Sequence, residues 1–288
     1  MVQISIVDFL RNEMRVRRGS VSASYADRTL DADCFSIGDK GFLLHTECGM
    51  RISYLMGEGV TVEWGARTDA LNERLYLNGT TYAAVAALNG FYPVHASAVA
   101  VDGKVHAFTG PSGAGKSTLI AELCRSGLPL FCDDTLILDL NGPEILALPG
   151  HKQLKLWPDA LALTGAHGVG EVWTGADKVY AVPAGEIASE VLPLVELCFL
   201  EEGEPARIEP VRGAEGMMRL QDDHYTAEIW LGATSPDKRE RFAQLARLAR
   251  EVVLNKFIRP RDPARFRSSA ELVIGHLGHR PDHEGTAG

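Results

Sequence analysis

The sequence predicts an α/β fold in which a phosphate-holding strand–loop–helix core follows a small β-rich unit. Three observations lead there. The pattern G-x-x-x-x-G-K-S runs from Gly110 to Ser117, with a β-type run before it and a helical pattern after it. Short alternating runs fill much of residues 1–88. The composition, 45% apolar and 23% charged over 288 residues, is that of an ordinary globular chain. The expected organisation is a β-rich unit over 1–88, a phosphate-loop unit over 89–278, and a frayed tail over 279–288 rich in Gly, Pro and polar residues.

Residues 21–25, 41–45, 51–55 and 60–64 are apolar or alternating pieces broken by Gly and Asp, and read as strands of the first unit. Residues 78–87 predict a short helix feeding the second unit. Residues 94–100 and 104–109 are β-type runs joined by Asp102 and Gly103, the strongest short hairpin signal. Residues 116–125 carry a helical pattern, and Gly127 is placed to stop it. Residues 128–132 form a short apolar strand ending at Asp133 and Asp134. A second hairpin is expected around Asn141 and Gly142, between 135–140 and 144–148. Then come a short helix over 158–163, a Gly-rich loop over 164–177 and a buried strand over 191–200. A helix over 236–250 has Ser235 as N-cap and Pro236 as its first residue. Phe242, Leu245, Leu248 and Val252 mark its apolar stripe. Residues 255–258 make a last strand.

With 29 basic and 38 acidic residues the net charge is −9, which excludes a broad basic face for nucleic acid and disfavours an anionic membrane surface. No apolar run approaches the roughly 18 residues of a membrane span, and no signal-peptide pattern opens the chain, so a cytoplasmic protein is expected. Cys34, Cys48, Cys124, Cys132 and Cys198 have no metal-ligand spacing and read as reduced thiols, mostly in the core.

The loop carries the chemistry. Gly113 and Gly115 let the backbone turn its N–H groups toward phosphate oxygens. The helix starting near Lys116 adds its positive end. Lys116 brings a point charge, and the Ser117 hydroxyl can ligate Mg²⁺. The expected nucleotide contacts are Gly110, Ser112, Gly113, Ala114, Gly115, Lys116, Ser117 and Thr118.

A two-residue turn at Asp102 and Gly103 sets His95 opposite Gly110, where an imidazole can orient phosphate or move a proton. Asp133 and Asp134 end a strand soon after the phosphate-loop helix, at the kind of strand end where α/β sheets place ligands. One carboxylate can hold Mg²⁺ and the other can accept the proton of an attacking hydroxyl. Adjacent strand residues face opposite ways, which suits two jobs.

The remaining polar residues carry weaker signals. Lys152 and Lys155 read as solvated lysines, and Trp157 with Pro158 as a packed corner. The Gly-rich loop ending at Asp177 and Lys178 is either a lid over an acceptor or a plain loop. Arg259, Arg261, Arg265 and Arg267 read as a solvated face. His224 and the C-terminal histidines lack zinc-ligand spacing.

His95, the Gly110-to-Ser117 loop and the Asp133–Asp134 pair, in that order, resemble the catalytic domain of HPr serine kinase/phosphorylase, with the nucleotide core of phosphoenolpyruvate carboxykinase as a more distant relative. The matched stretch is 94–163. The resemblance implies a P-loop core of that type and an active-site set of His95, Lys116, Asp133 and Asp134. Residues 153–161 look like the HPr-kinase-like subfamily found in biosynthesis of ribosomal peptides, including lasso-peptide-precursor kinases. Where the bifunctional enzyme has its Glu-Ile-Arg-Gly-Leu-Gly-type signature, this chain has the run 152–158, which argues against phosphorolysis and against HPr as substrate.

Residues and resemblance together predict an ATP- and Mg²⁺-dependent kinase for a serine hydroxyl in a peptide or small protein, with a lasso-peptide precursor as the expected acceptor. Lys116 neutralises the transferring group, Ser117 and Asp133 bind Mg²⁺, and Asp134 takes the proton with His95 assisting. The two aspartates exchanging roles is the alternative assignment. An HPr-type kinase/phosphorylase regulator, a small-metabolite kinase and a non-catalytic nucleotide-dependent scaffold are the other readings. No nucleic acid or membrane partner is expected, and the resemblance allows a homo-oligomeric ring.

Overall fold

The computed structural model describes residues 5–24, 28–32, 34–221, 225–233 and 237–278. It is a mixed α/β structure with several sheets. The first is a six-stranded sheet in the spatial order Val16–Arg18, Gly59–Glu63, Arg51–Leu55, Gly41–His45, Phe35–Gly38, Arg28–Asp31. Its first pair is parallel and the rest antiparallel. Three of the four early runs are strands as expected. Residues 21–24 are not, and residue 25 lies outside the described residues. A helix over Ile6–Glu13, capped by the Ser5 side chain, was not legible as such.

The expected helix over 78–87 is longer. Ala70–Tyr76 and Tyr82–Leu88 run on through a wide turn over Leu77–Thr81. Ala83 to Leu88 are all buried, because a run of small side chains lets neighbouring elements approach from every side. One hydrophobic cluster joins this helix to the N-terminal sheet and to the strands that follow, through Phe42, Ile52, Val85, Val94 and Ile137.

The second sheet positions the site. Its order is Leu130–Cys132, Ala96–Val101, Lys104–Thr109, Leu192–Glu202, Val253–Arg259, Arg207–Pro210. Lys104–Thr109, Leu192–Glu202 and Val253–Arg259 are parallel. Ala96–Val101 runs against its neighbours on both sides, so it begins at the edge where they end. Asp102 and Gly103 form the predicted turn with φ of 49° and 71°, and the ladder runs from Val101↔Lys104 to Ala96↔Thr109. The expected strand 94–100 is broken at His95. Tyr92–Val94 pairs instead with Leu136–Asp139 in a branch continued by Leu146–Leu148, which meets the start of Leu192–Glu202. The second hairpin exists, but its connection spans 140–145 rather than Asn141 and Gly142 alone.

Lys116–Arg125 is helical as predicted. Gly127 N–H bonds to Cys124 O and Leu128 N–H to Leu123 O, with Gly127 at φ 97°, which closes the helix end. Leu119, Ile120 and Leu123 pack with Val99, Phe108, Phe257 and Ile274 in a second cluster on the loop side of the sheet.

A third, three-stranded sheet has the order Leu154–Leu156, Val179–Val182, His167–Glu171. The Gly-rich segment is therefore not simply a loop: His167–Glu171 is a strand, bulged between Gly168 and Gly170. The later helix is Lys238–Glu251, N-capped by Asp237, which accepts from Glu240 N–H; Ser235 and Pro236 lie outside the described residues. Phe242 is 61% exposed, while Leu245, Leu248 and Val252 are buried as expected and are joined by Arg241 and Gln244. The helices Ala214–Gln221, Tyr225–Gly232 and Phe266–His276 were not foreseen, and the tail 279–288 lies outside the described residues. Among the described residues no helix is long and apolar enough to cross a membrane.

Candidate active site

The strand order explains why the predicted residues meet. The glycine-rich loop 110–117 leaves the end of Lys104–Thr109, the acid pair leaves the end of Leu130–Cys132, and Ala96–Val101 enters between them. His95, the loop and both aspartates thus share one sheet edge.

Gly110, Gly113 and Gly115 all have positive φ, at 147°, 81° and 86°. Gly115 precedes the helix as its N-cap. The outer side of the loop is gripped by arginines: Arg259 Nη2 donates to Ala114 O at 2.9 Å, and Arg261 Nη2 reaches Gly113 O at 3.5 Å. Arg259 is therefore not part of a solvated face. Ser112, Gly113, Gly115, Lys116, Ser117 and Thr118 line a pocket of about 220 Å³ with His95, Asp134, Lys155 and Lys178. Gly110 and Ala114 face a larger outer pocket of about 480 Å³, which touches neither Asp133 nor Asp134. Lys116 Nζ donates to Gly110 O at 2.7 Å and Pro111 O at 3.3 Å, so it must leave these carbonyls to meet a phosphate.

The acid pair splits, though not by strand alternation. Thr135 N–H bonds back to Asp133 O at 3.0 Å, and Asp134 between them has φ 74°, a three-residue γ-turn. Such a conformation stores strain in a non-glycine residue, and here the two adjacent carboxylates have different partners. Asp133 is 1% exposed. Its Oδ1 accepts from Ser117 Oγ at 2.8 Å and Ser97 Oγ at 2.6 Å, and its Oδ2 from Lys155 N–H at 2.9 Å.

Asp134 turns to Lys155, whose Nζ lies 2.7 Å from Oδ2. Burial pulls the Asp134 carboxyl upward, but Lys155, His95 and Lys178 together hold it below the usual carboxylate value. It is therefore ionised at neutral pH. His95 Nδ1 lies 2.9 Å from Asp134 O; a carbonyl only accepts, so Nδ1 carries the proton. Burial, then Lys116, push the imidazole below its ordinary value and keep it neutral at pH 7.

Lys155, Lys152 and Trp157 also differ from expectation. Lys155 is 7% exposed because it is drawn inward by Asp134. Lys152 is tied to Phe131 O and to Ala188 O at 2.6 Å, a structural role. Trp157 is no packed corner: it is 47% exposed, at the pocket mouth, with Lys178 Nζ 5.7 Å from its ring centroid. Ser97 was missed altogether. Its one signal is a polar residue inside an apolar, buried strand two positions after His95. Arg265 pairs with Glu204 at 3.0 Å and Arg267 is exposed, both away from the pocket; His224 lies outside the described residues.

Among the described residues no group of three or more His, Cys, Asp or Glu could hold a metal. One carboxylate and one hydroxyl, Asp133 and Ser117, fit an ion that prefers hard oxygen donors and takes its other ligands from water and phosphate, as Mg²⁺ does.

No protein-family model and no curated protein matches the sequence. Among solved structures, the chain is similar in part to the Hpr(Ser) kinase/phosphatase from Coxiella burnetii, at 15% identity and a TM-score of 0.31, covering 64% of this chain and 95% of that one. The class the fold defines is mixed α/β with several sheets.

Proposed function

We propose that the protein is an ATP- and Mg²⁺-dependent kinase that transfers the terminal phosphate to a serine hydroxyl of a peptide or small protein. One observation carries the reading: Asp133 is bonded to Ser117 at the foot of the loop, while Asp134, one residue on, lines the pocket paired with Lys155 Nζ. Nucleotide binding alone uses the first carboxylate and has no need of an ionised second one inside the pocket.

In this reading the N–H groups of 112–118 and Lys116 hold the phosphates. Ser117 and Asp133 hold Mg²⁺, which when bound offsets the charge of the phosphate oxygens. Asp134 accepts the hydroxyl proton as the serine oxygen bonds to phosphorus and the bond to the departing ADP oxygen breaks. His95 fixes the Asp134 backbone through its Nδ1–H. The acceptor we would try first is a ribosomal peptide precursor of the lasso type, which the run 153–161 suggests.

The test is transfer from γ-labelled ATP to candidate peptides by wild type and Asp134→Asn. Label on a serine with wild type, and a loss of roughly 10²–10⁴-fold with the variant, is the expected result. Nucleotide bound without transfer to any hydroxyl would make the protein a nucleotide-dependent scaffold instead.

A further inference from the structure

Of the three lysines in the inner pocket, two are engaged by the protein. Lys116 sits on the carbonyls of its own loop, and Lys155 on Asp134. The Lys178 side chain makes no hydrogen bond or ion pair among the described residues; its Nζ lies over the Trp157 ring. It is only half exposed and lines the pocket. A half-buried ammonium with no anion in contact is costly: burial lowers its proton affinity, and the charges of Asp133 and Asp134, acting without contact, offset this only in part. Such a group is retained where its partner is a ligand.

Its placement is built. Lys178 closes the turn after His167–Glu171, its carbonyl accepting from Val172 N–H at 3.0 Å. The next residue starts the strand Val179–Val182, in register with Leu154–Leu156 through Leu156↔Val179 and Lys155↔Tyr180. The same ladder, continued by one position, sets Lys178 against Trp157 and beside the Lys155–Asp134 pair. Lys178 therefore lines the pocket from this strand pair, a different element from the loop 110–117.

Resting on the kinase reading, the geometry points to Lys178 as a catalytic residue that binds the oxygens of the phosphoryl group in flight, together with Lys116. The transfer breaks the bond between the terminal phosphorus and the oxygen retained by ADP, and forms one from phosphorus to the serine oxygen. The serine proton passes to Asp134, and Lys178 keeps its own protons throughout. Lys155 cannot fill this role, since its charge is already matched by Asp134. Contacts that stabilise charge in transit act on the transition state more than on bound nucleotide.

The experiment compares the affinity of wild type, Lys178→Met and Lys178→Arg for Mg-ADP alone and for Mg-ADP with aluminium fluoride, which mimics the transferring group. The expected result is ADP affinity within about twofold for all three, with the gain on adding aluminium fluoride reduced roughly 10²-fold or more in Lys178→Met and largely kept in Lys178→Arg. ADP affinity reports that each variant is folded, and Lys178→Gln replaces Lys178→Met if that variant fails to bind ADP. A full aluminium fluoride gain in the uncharged variant removes Lys178 from catalysis and leaves the kinase reading standing. The same holds if peptide transfer shows only a raised acceptor KM, since the lysine would then be gripping an anion of the acceptor. A wild type with no aluminium fluoride gain overturns the kinase reading, and this role with it.

Discussion

Lys155 Nζ and Asp134 Oδ2 are 2.7 Å apart, with Lys155 buried and Asp134 at φ 74°. The pair keeps the proposed base charged in a pocket whose burial would otherwise neutralise it. Lys155→Met should therefore raise the Asp134 pKa and move the acid limb of the pH–rate profile to higher pH. A carboxyl that stays protonated cannot take the hydroxyl proton, and each pH unit of displacement is about tenfold in ionised fraction. Lys155→Arg should keep the wild-type limb. Transfer rates between pH 4 and 8 measure this, and an unmoved limb in Lys155→Met would show that Asp134 is not the titrating group.

Ser97 is fully buried and donates to the same Asp133 oxygen as Ser117. Ser97→Ala removes a charge-assisted bond worth about 1.5–3 kcal/mol. Urea unfolding should show a loss of that size. The Mg²⁺ concentration for half-maximal transfer should rise several-fold, because Asp133 is left less firmly aimed. Ser97→Thr, which keeps the hydroxyl but adds a methyl group to a packed site, should recover less than the wild type.

The parts of the site that could be read from the chain are those fixed by local chemistry. Asp102 with Gly103 dictates a tight turn, three glycines and Lys116 dictate a loop, and Gly127 ends the helix; all are present as expected. Ser97, Lys155 and Lys178 come together only through non-local pairing. Lys155 reads as a solvated lysine, but it lies in the strand Leu154–Leu156 and Asp134 draws its ammonium inward. Phe242 reads as core by helical spacing and is exposed, because Arg241 and Gln244 take the inward positions through bonds to Leu231 O and Asn141. The reach of a hydrogen bond from another segment is not encoded in spacing along one helix.

Glu196 offers a stability test remote from the acid pair. Burial raises its pKa, but hydrogen bonds from His106 at 2.9 Å, Asn255 at 2.6 Å and His276 at 2.8 Å outweigh that and bring it to about 2. A depressed carboxyl stabilises the fold above its unfolded value near 4.5 and loses that contribution as pH falls toward 2. The term is of order 3 kcal/mol at 1.36 kcal/mol per unit. Urea midpoints of wild type should therefore fall through this window. Glu196→Gln should start lower and show a shallower fall, and parallel curves would place the acid sensitivity elsewhere.

Gly115 is where loop, helix and arginine meet. At φ 86° an L side chain is strained, and a Cβ there would collide with Arg259 Nη2, the group that holds Ala114 O. Gly115→Ala therefore has two ways to relax, and both damage the cradle: the loop shifts, or Arg259 releases the carbonyl. Arg259→Ala removes the collision but also the grip, leaving only Arg261, at 3.5 Å, on the outer face. Nucleotide affinity should fall at least tenfold in Gly115→Ala, with a stability loss of about 1–3 kcal/mol from the strained residue. If the steric clash dominates, the double variant Gly115→Ala/Arg259→Ala should bind nucleotide better than Gly115→Ala alone. If backbone strain dominates, it should bind no better. Fluorescent-nucleotide titration of the three variants separates the two, and wild-type affinity in Gly115→Ala would mean that this loop does not hold the phosphates.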